Sequence, residues 1–308
     1  MDSTHDFVVW YAKNYNNIKF NRLYFQRRPS NDGNYRYEFT EDGFLRPLKK
    51  HEMERVDQIS EEKRVAAANP LTSQSAATTT IFGYNFCGRT FKPGKGGWKT
   101  NYKGMTRLDR AGRLHGIGGT LRYIRPFSDF DRQAYNDIWD DTRQSGYGDP
   151  KLYVVQTVSR VIERCVLMAS DPGDLVMDPT CGSGTTATVA EQCGRRWITI
   201  DTSRVALALA RARIMGARYP YYVLADSEAG EKIKNSIADV GVSNETKRGD
   251  VRQGFVYKRA PHITLRDIAN NSEIDVIWER WRPDIEFFVS KIDTALGESW
   301  QEWQVPVE

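Results

Sequence analysis

A chain of 308 residues, 40% of them hydrophobic and with a formal charge of +4, can bury one large core or two smaller ones. It contains no run of 18 apolar residues, which excludes an ordinary membrane-spanning helix, and its first residues lack the basic and apolar regions of a secretory signal. Four cysteines (Cys87, Cys165, Cys181, Cys193) without CxxC spacing, and four scattered histidines, argue for reduced thiols, a cytoplasmic setting and no zinc site.

Residues 6–12 are a compact run of β-formers and predict a strand close to the N-terminus. Residues 29–80 are polar and weakly patterned, with a charged helix expected over 51–68 and a loop or linker over 69–80. Residues 81–145 read as short strand-like pieces broken by glycines. From about residue 151 helix and strand alternate: helix 155–169, strand 174–178, helix 184–193, strand 196–201, helix 203–215, strand 221–225. Gly194 and Gly216 stand where C-terminal helix caps belong, and Thr202 or Ser203 where an N-cap belongs. A polar connector over 227–252 leads to a tail with helices over 272–297 and an aromatic end at Trp300 and Trp303. The expected division is therefore 1–28, a late strand; 29–80, a polar helix and linker; 81–149, a recognition region; 150–228, a nucleoside-binding domain; and 229–308, a C-terminal extension.

The sharpest local signal runs from Leu175 to Asp201. An apolar strand ends at Asp178, a turn through Gly182, Ser183 and Gly184 opens a helix, and a second apolar strand ends at Asp201, 23 residues after the first acid. That is the layout of the first two strands of a doubly wound α/β sheet holding a nucleoside, with glycines for close backbone approach and the second acid accepting from ribose hydroxyls. A dinucleotide fingerprint tolerates Ala187 at its third position, and a phosphate loop would need a Gly-Lys that is absent. With no Lys or Arg between Leu175 and Gly194 to neutralise a pyrophosphate, and Asp178 suited to a sulfonium and its amino group, S-adenosylmethionine fits the charges best. A tight structural turn is the alternative for the glycines. Asp226, after the third expected strand, is placed near the adenine or else caps a turn. Cys181 has no neighbouring His and does not read as a nucleophile.

The second signal is charge. Ten basic residues (Arg89, Lys92, Lys95, Lys99, Lys103, Arg107, Arg110, Arg113, Arg122, Arg125) lie in 37 positions against one acid, Asp109. Trp98 and Tyr102 are interleaved as candidates for stacking or groove contact, with core packing an equal alternative for Trp98. The pattern predicts phosphate contacts by Lys95, Lys99, Lys103, Arg107, Arg110 and Arg113, against the alternative of a solvated basic face.

The segment Asp178-Pro179-Thr180-Cys181-Gly182-Ser183-Gly184-Thr185 resembles the Asp-Pro-Phe-x-Gly-Ser-Gly-Thr motif of the DNA amino-methyltransferases, above all the modification subunits of type III restriction–modification systems and related adenine-specific enzymes. Residues 153–163 resemble that family's Thr-Gln-Lys-Pro stretch, with Gln156 and Thr157 as the matching positions; Thr180 departs from the family's Phe, and Val158 and Ser159 from its Lys-Pro. The resemblance implies a partial doubly wound, Rossmann-like S-adenosyl-L-methionine-dependent methyltransferase sheet, an irregular β-rich DNA-recognition region and a small helical extension. It implies double-stranded DNA as substrate, methylated at adenine N6 or, alternatively, cytosine N4. The family holds the target amine with an Asp/Asn/Ser-Pro-Pro-aromatic motif, and none of the 12 prolines here is followed by another. The chain accordingly reads as the C-terminal portion of such an enzyme, starting at a methionine internal in relatives, with no catalytic residue assigned. It is expected to work with the missing half or a partner chain and with a restriction subunit. A non-catalytic DNA-binding module with a relict cofactor pocket is the other class.

Overall fold

The computed structural model describes residues 6–40, 43–62, 64–142, 153, 156–237 and 248–305. In chain order the strands are β1 (Tyr24–Gln26), β2 (Tyr35–Phe39), β3 (Leu45–Pro47), β4 (Val65–Pro70), β5 (Thr72–Ser73), β6 (Tyr84–Phe86), β7 (Arg89–Phe91), β8 (Gly97–Trp98), β9 (Leu114–Ile117), β10 (Thr120–Pro126), β11 (Arg132–Ala134), β12 (Leu175–Asp178) and β13 (Arg196–Thr199). The helices are α1 (Lys50–Met53), α2 (Val56–Glu62), α3 (Tyr102–Arg110), α4 (Ser159–Ala169), α5 (Thr185–Gln192), α6 (Arg204–Gly216), α7 (Glu228–Ile237), α8 (Leu265–Asn270) and α9 (Glu273–Leu296). They form two units, one of residues 1–25 and 133–259, the other of 26–132 and 260–308.

The second unit is organised by an antiparallel sheet in the order β3-β2-β4-β10-β9. Its central strand β4 carries Val65, Ala66 and Ala67, all at 1% exposure or less. Side chains alternate across a strand, so consecutive buried positions mean cover on both faces. Val65 and Ala67 pack with Tyr35, Leu48 and Val56, while Ala66 packs with Phe39 and Ile124. The helix expected over 51–68 is present only as the short α1 and α2, ending at Glu62; its last part is overturned, because the alanine-rich run that favours a helix locally is a strand with partners on both edges. The linker expected over 69–80 instead completes β4 and supplies β5, which pairs with β8. The segments 29–80 and 81–149 thus share one sheet rather than forming separate regions. A larger cluster containing Leu71, Tyr84, Trp98, Met105, Leu108 and Ile268 joins α3 and α8 to this unit, so part of the C-terminal extension belongs to it.

The first unit holds the parallel pair β12–β13, in register from Leu175↔Arg196 to Asp178↔Thr199. Helix α5 connects them in the βαβ manner and packs on the pair, with α4 against α5. Its C-terminus closes at Gly194, whose φ of +71° is the left-handed conformation a helix cap needs. Register partners in a parallel pair share a face. Leu175, Met177 and Ile198 therefore line one face together, and they are 53%, 63% and 47% exposed. The strand expected over 221–225 is a single bridge between Leu224 and Phe255, and α7 occupies part of the expected polar connector. Residues 6–12 are not a strand either: among the described residues nothing pairs with them, and Phe7 and Tyr11 are almost fully exposed. Among the described residues no helix is long and apolar enough to cross a membrane.

Candidate functional site

The loop between β12 and α5 is tied down by its two acids. At its start the Asp178 carboxylate accepts from the Thr180 amide at 2.9 Å and from the Thr180 hydroxyl at 3.3 Å, while Pro179 and Thr180 face solvent. Cys181 is buried and its amide donates to the Ile200 carbonyl at 2.8 Å, extending the strand pairing into the loop. The amides of Ser203 and Gly182 donate to separate oxygens of Asp201, both at 2.8 Å, and hold its carboxyl below the usual carboxylate range. Asp201 thereby links the glycine loop to the end of β13, and Ser203 caps α6 by accepting from the Ala206 amide.

Gly184 serves packing as much as ligand approach. Its φ is +75°, and a Cβ there would lie 2.8 Å from the Cβ and 3.0 Å from the Cα of Ala210 on α6. The absence of a side chain lets α6 close on the loop. One turn further along α6, Arg213 reaches the same place: Nη1 donates to Thr185 Oγ1 at 3.0 Å and Ser183 Oγ at 3.4 Å, and Nη2 to Ser159 Oγ at 3.4 Å. Gln156 accepts from the Ser183 hydroxyl at 3.3 Å, and Thr157 is exposed. The structure thus gathers Gln156, Asp178, residues 180–185 and Asp201 around one loop. Asp226 is committed elsewhere, its carboxylate accepting from the amides of Arg248 and Asp250. Arg213 carries no motif signature; its only sequence signal is a charge on the inner side of a helix rich in alanine.

The basic segment divides by burial. Trp98 is 2% exposed and its indole N–H donates to the Phe82 carbonyl, so it is a core side chain, unavailable for stacking on a base. Arg107, 7% exposed, donates to Asp275 at 2.8 Å and to the Ala269 carbonyl at 3.1 Å, and Arg110 donates to the other Asp275 oxygen at 3.1 Å. These contacts hold the Asp275 carboxyl below its ordinary value, with Arg107 the main cause. Arg113 forms two bonds of 2.9 Å to Asp129. Arg107 and Arg113 are therefore engaged in structural ion pairs, the first with a segment distant in sequence, and both partner acids lie outside the run that makes the segment look purely basic. Lys95, Lys99 and Lys103 are exposed residues, although the Lys99 ammonium donates to the Pro70 carbonyl at 2.8 Å and that of Lys103 lies 3.7 Å from Asp275; Tyr102 is 58% exposed with its ring against Phe82 and Tyr84. Among the described residues no cluster of His, Cys, Asp and Glu is placed to hold a metal.

Comparison with known proteins places this geometry. A family of N6/N4 methyltransferases, described as DNA methylase, matches residues 1–212, more than half the chain. The chain belongs to this DNA methylase family. Among curated members it is 31% identical over 131 residues to the type II methyltransferase M.EcaI of Enterobacter cloacae, covering 42% of this chain and 29% of that one. It is 44% identical over 54 residues to the type II methyltransferase M2.DpnII of Streptococcus pneumoniae, covering 18% and 20%. The chain thus spans less than a third of the length of either relative. A solved complex of M1.HpyAVI with SAM aligns at 26% identity and a TM-score of 0.22, over 23% of this chain and 35% of that one.

Proposed function

We propose that this chain supplies the S-adenosyl-L-methionine-binding and DNA-contacting portion of a DNA methyltransferase acting on adenine N6, with cytosine N4 as the second reading. The observation that carries the proposal is the Gly182 amide on Asp201, which fixes a glycine loop between two strand-end acids in a member of the DNA methylase family. The residues fit the cofactor. Asp201 retains lone pairs on both oxygens after accepting two amides, enough for ribose hydroxyls, and Asp178 offers a carboxylate to an ammonium. When bound, the cofactor supplies an activated methyl group on a positively charged sulfur. The chain's part is to seat the nucleoside against residues 178–185 and 201 and to hold the duplex through phosphates.

For the duplex, Lys95, Lys99 and Lys103, with Tyr102 beside them, are the proposed contacts, because these residues are exposed and neither Lys99, on a carbonyl, nor Lys103, 3.7 Å from Asp275, is buried in an ion pair as Arg107 is. The groups that bind the target amine are proposed to come from a second polypeptide segment. Two observations support this: the sequence has no Pro-Pro pair, and among the described residues nothing gives the apolar face of Leu175, Met177 and Ile198 the cover that parallel sheets have on both sides. The partner reading extends to a restriction subunit only by the resemblance already described.

The test is methyl transfer from labelled cofactor to duplex DNA, by the chain alone and with a co-expressed segment carrying the Pro-Pro-aromatic motif, followed by nucleoside separation. Transfer to adenine only in the second case is expected. Robust transfer by the chain alone would overturn the divided site, and label in cytosine would select the second reading. Charge reversal at Lys95, Lys99 and Lys103 should lower the salt slope of DNA binding by about 0.9 per lost contact; an unchanged slope would remove the DNA-contact assignment.

A further inference from the structure

The Arg213 guanidinium is partly buried and its contacts are three hydroxyl groups, those of Ser159, Ser183 and Thr185. Ser183 and Thr185 are themselves buried, at 3% and 7% exposure. Other described arginines of this unit are held differently: Arg160 and Arg164 face Asp141 and Arg252 faces Asp250, while Arg195 and Arg196 rest on backbone carbonyls, whose partial charges oppose theirs. Among the described residues no carboxylate pairs with Arg213. Hydroxyls can solvate a guanidinium but cannot neutralise it, and withdrawing an uncompensated charge from water is unfavourable. The position adds to the imbalance, since Ser159 and Thr185 open α4 and α5, whose first-turn amides also carry partial positive charge. The guanidinium thus stands at this point of the loop with hydroxyl partners and room for one negative charge to offset its own.

We propose that Arg213 is the anchor for the α-carboxylate of the cofactor's methionine moiety, with the Ser183 and Thr185 hydroxyls as its neighbours in the same subsite. The inference rests on the cofactor reading above and adds to it the group that holds the amino-acid end. One guanidinium matches one carboxylate. The flanking acids Asp178 and Asp201 disfavour a more highly charged phosphate ligand. The three subsites then divide the ligand by chemistry: Asp201 for hydroxyls, Asp178 for the ammonium, Arg213 for the carboxylate.

Two probes separate the possibilities in calorimetric titrations of the full chain: S-adenosylhomocysteine, which carries the amino acid, and 5′-methylthioadenosine, which does not. Arg213→Gln should weaken the first by at least about tenfold, the loss expected for one charge-assisted hydrogen-bonded contact, and leave the second within about twofold. Arg213→Lys, which keeps the charge and tests for simple loss of packing, should retain an intermediate affinity for the first probe. Equal weakening of both probes by Arg213→Gln, or no weakening of either, overturns the assignment. Wild-type chain that binds neither probe overturns the cofactor reading itself, an outcome distinct from either of these.

Discussion

The two units bury different kinds of side chain. In the unit of residues 26–132 and 260–308 the positions at 1% exposure or less include Tyr35, Leu71, Met105, Leu108 and Ile124. In the unit of residues 1–25 and 133–259 the comparable positions, at 2% or less, are Ala187, Val189, Ala190, Ala206 and Ala210, while Leu175, Met177 and Ile198 stay outside. Small residues let α5 and α6 come close enough to shape a loop around Gly184, where the cofactor is proposed to sit. That closeness leaves little apolar volume to hold the unit together. One unit is built on packing, the other on backbone proximity, and the second presents a sheet face that wants a further layer.

The contrast can be broken in three places. The largest effect is expected in the packed unit: Leu108→Ala should destabilise it by about 2–5 kcal/mol in denaturant unfolding, because the cavity is walled by Met105, Trp98 and their neighbours. Val189→Ala in the other unit should cost less, and an equal loss would contradict the difference in core quality. Next comes Gly184→Ala. The left-handed φ and the contact with Ala210 leave no room for a methyl group, so more than about 1 kcal/mol of destabilisation is expected, concentrated in faster hydrogen exchange of α5 and α6. Uniform exchange across the chain would mean the two units unfold as one. The smallest effect belongs to the bare face. Met177→Gln with Ile198→Gln should change stability by no more than about 0.5 kcal/mol and reduce self-association in light scattering. A loss of several kcal/mol would mean that this chain covers the face after all.

Much of the unit that holds β12 and β13 is legible in the sequence because its signals are local. The strand ending at Asp178, the helix opened by Gly184 and the strand before Asp201 follow from apolar runs and glycines within 30 positions, and Ser203 as N-cap needs only its neighbours. The other unit resists such reading. Val65 to Ala68 has helical composition and becomes a central strand through pairing with β2 and β10, segments up to about 60 residues away. The charge of residues 89–125 misleads for the same reason: Asp275 lies more than 160 positions from Arg107, so a count along the chain cannot see the pair. Trp98 could not be sorted between core and surface until the register of β8 on β5 was known. Residues 143–149, counted with the recognition region, lie outside the described residues.

The two amides on Asp201 have a thermodynamic consequence. They clamp the glycine loop to the end of β13 by protein groups alone, with the Cys181 amide on the Ile200 carbonyl as a third tether. A cofactor bound there as proposed would meet a surface whose conformational entropy was surrendered during folding, not during association. Loosening the clamp while keeping the loop sequence would therefore make complex formation more exothermic and more entropically opposed, with the bound geometry unchanged.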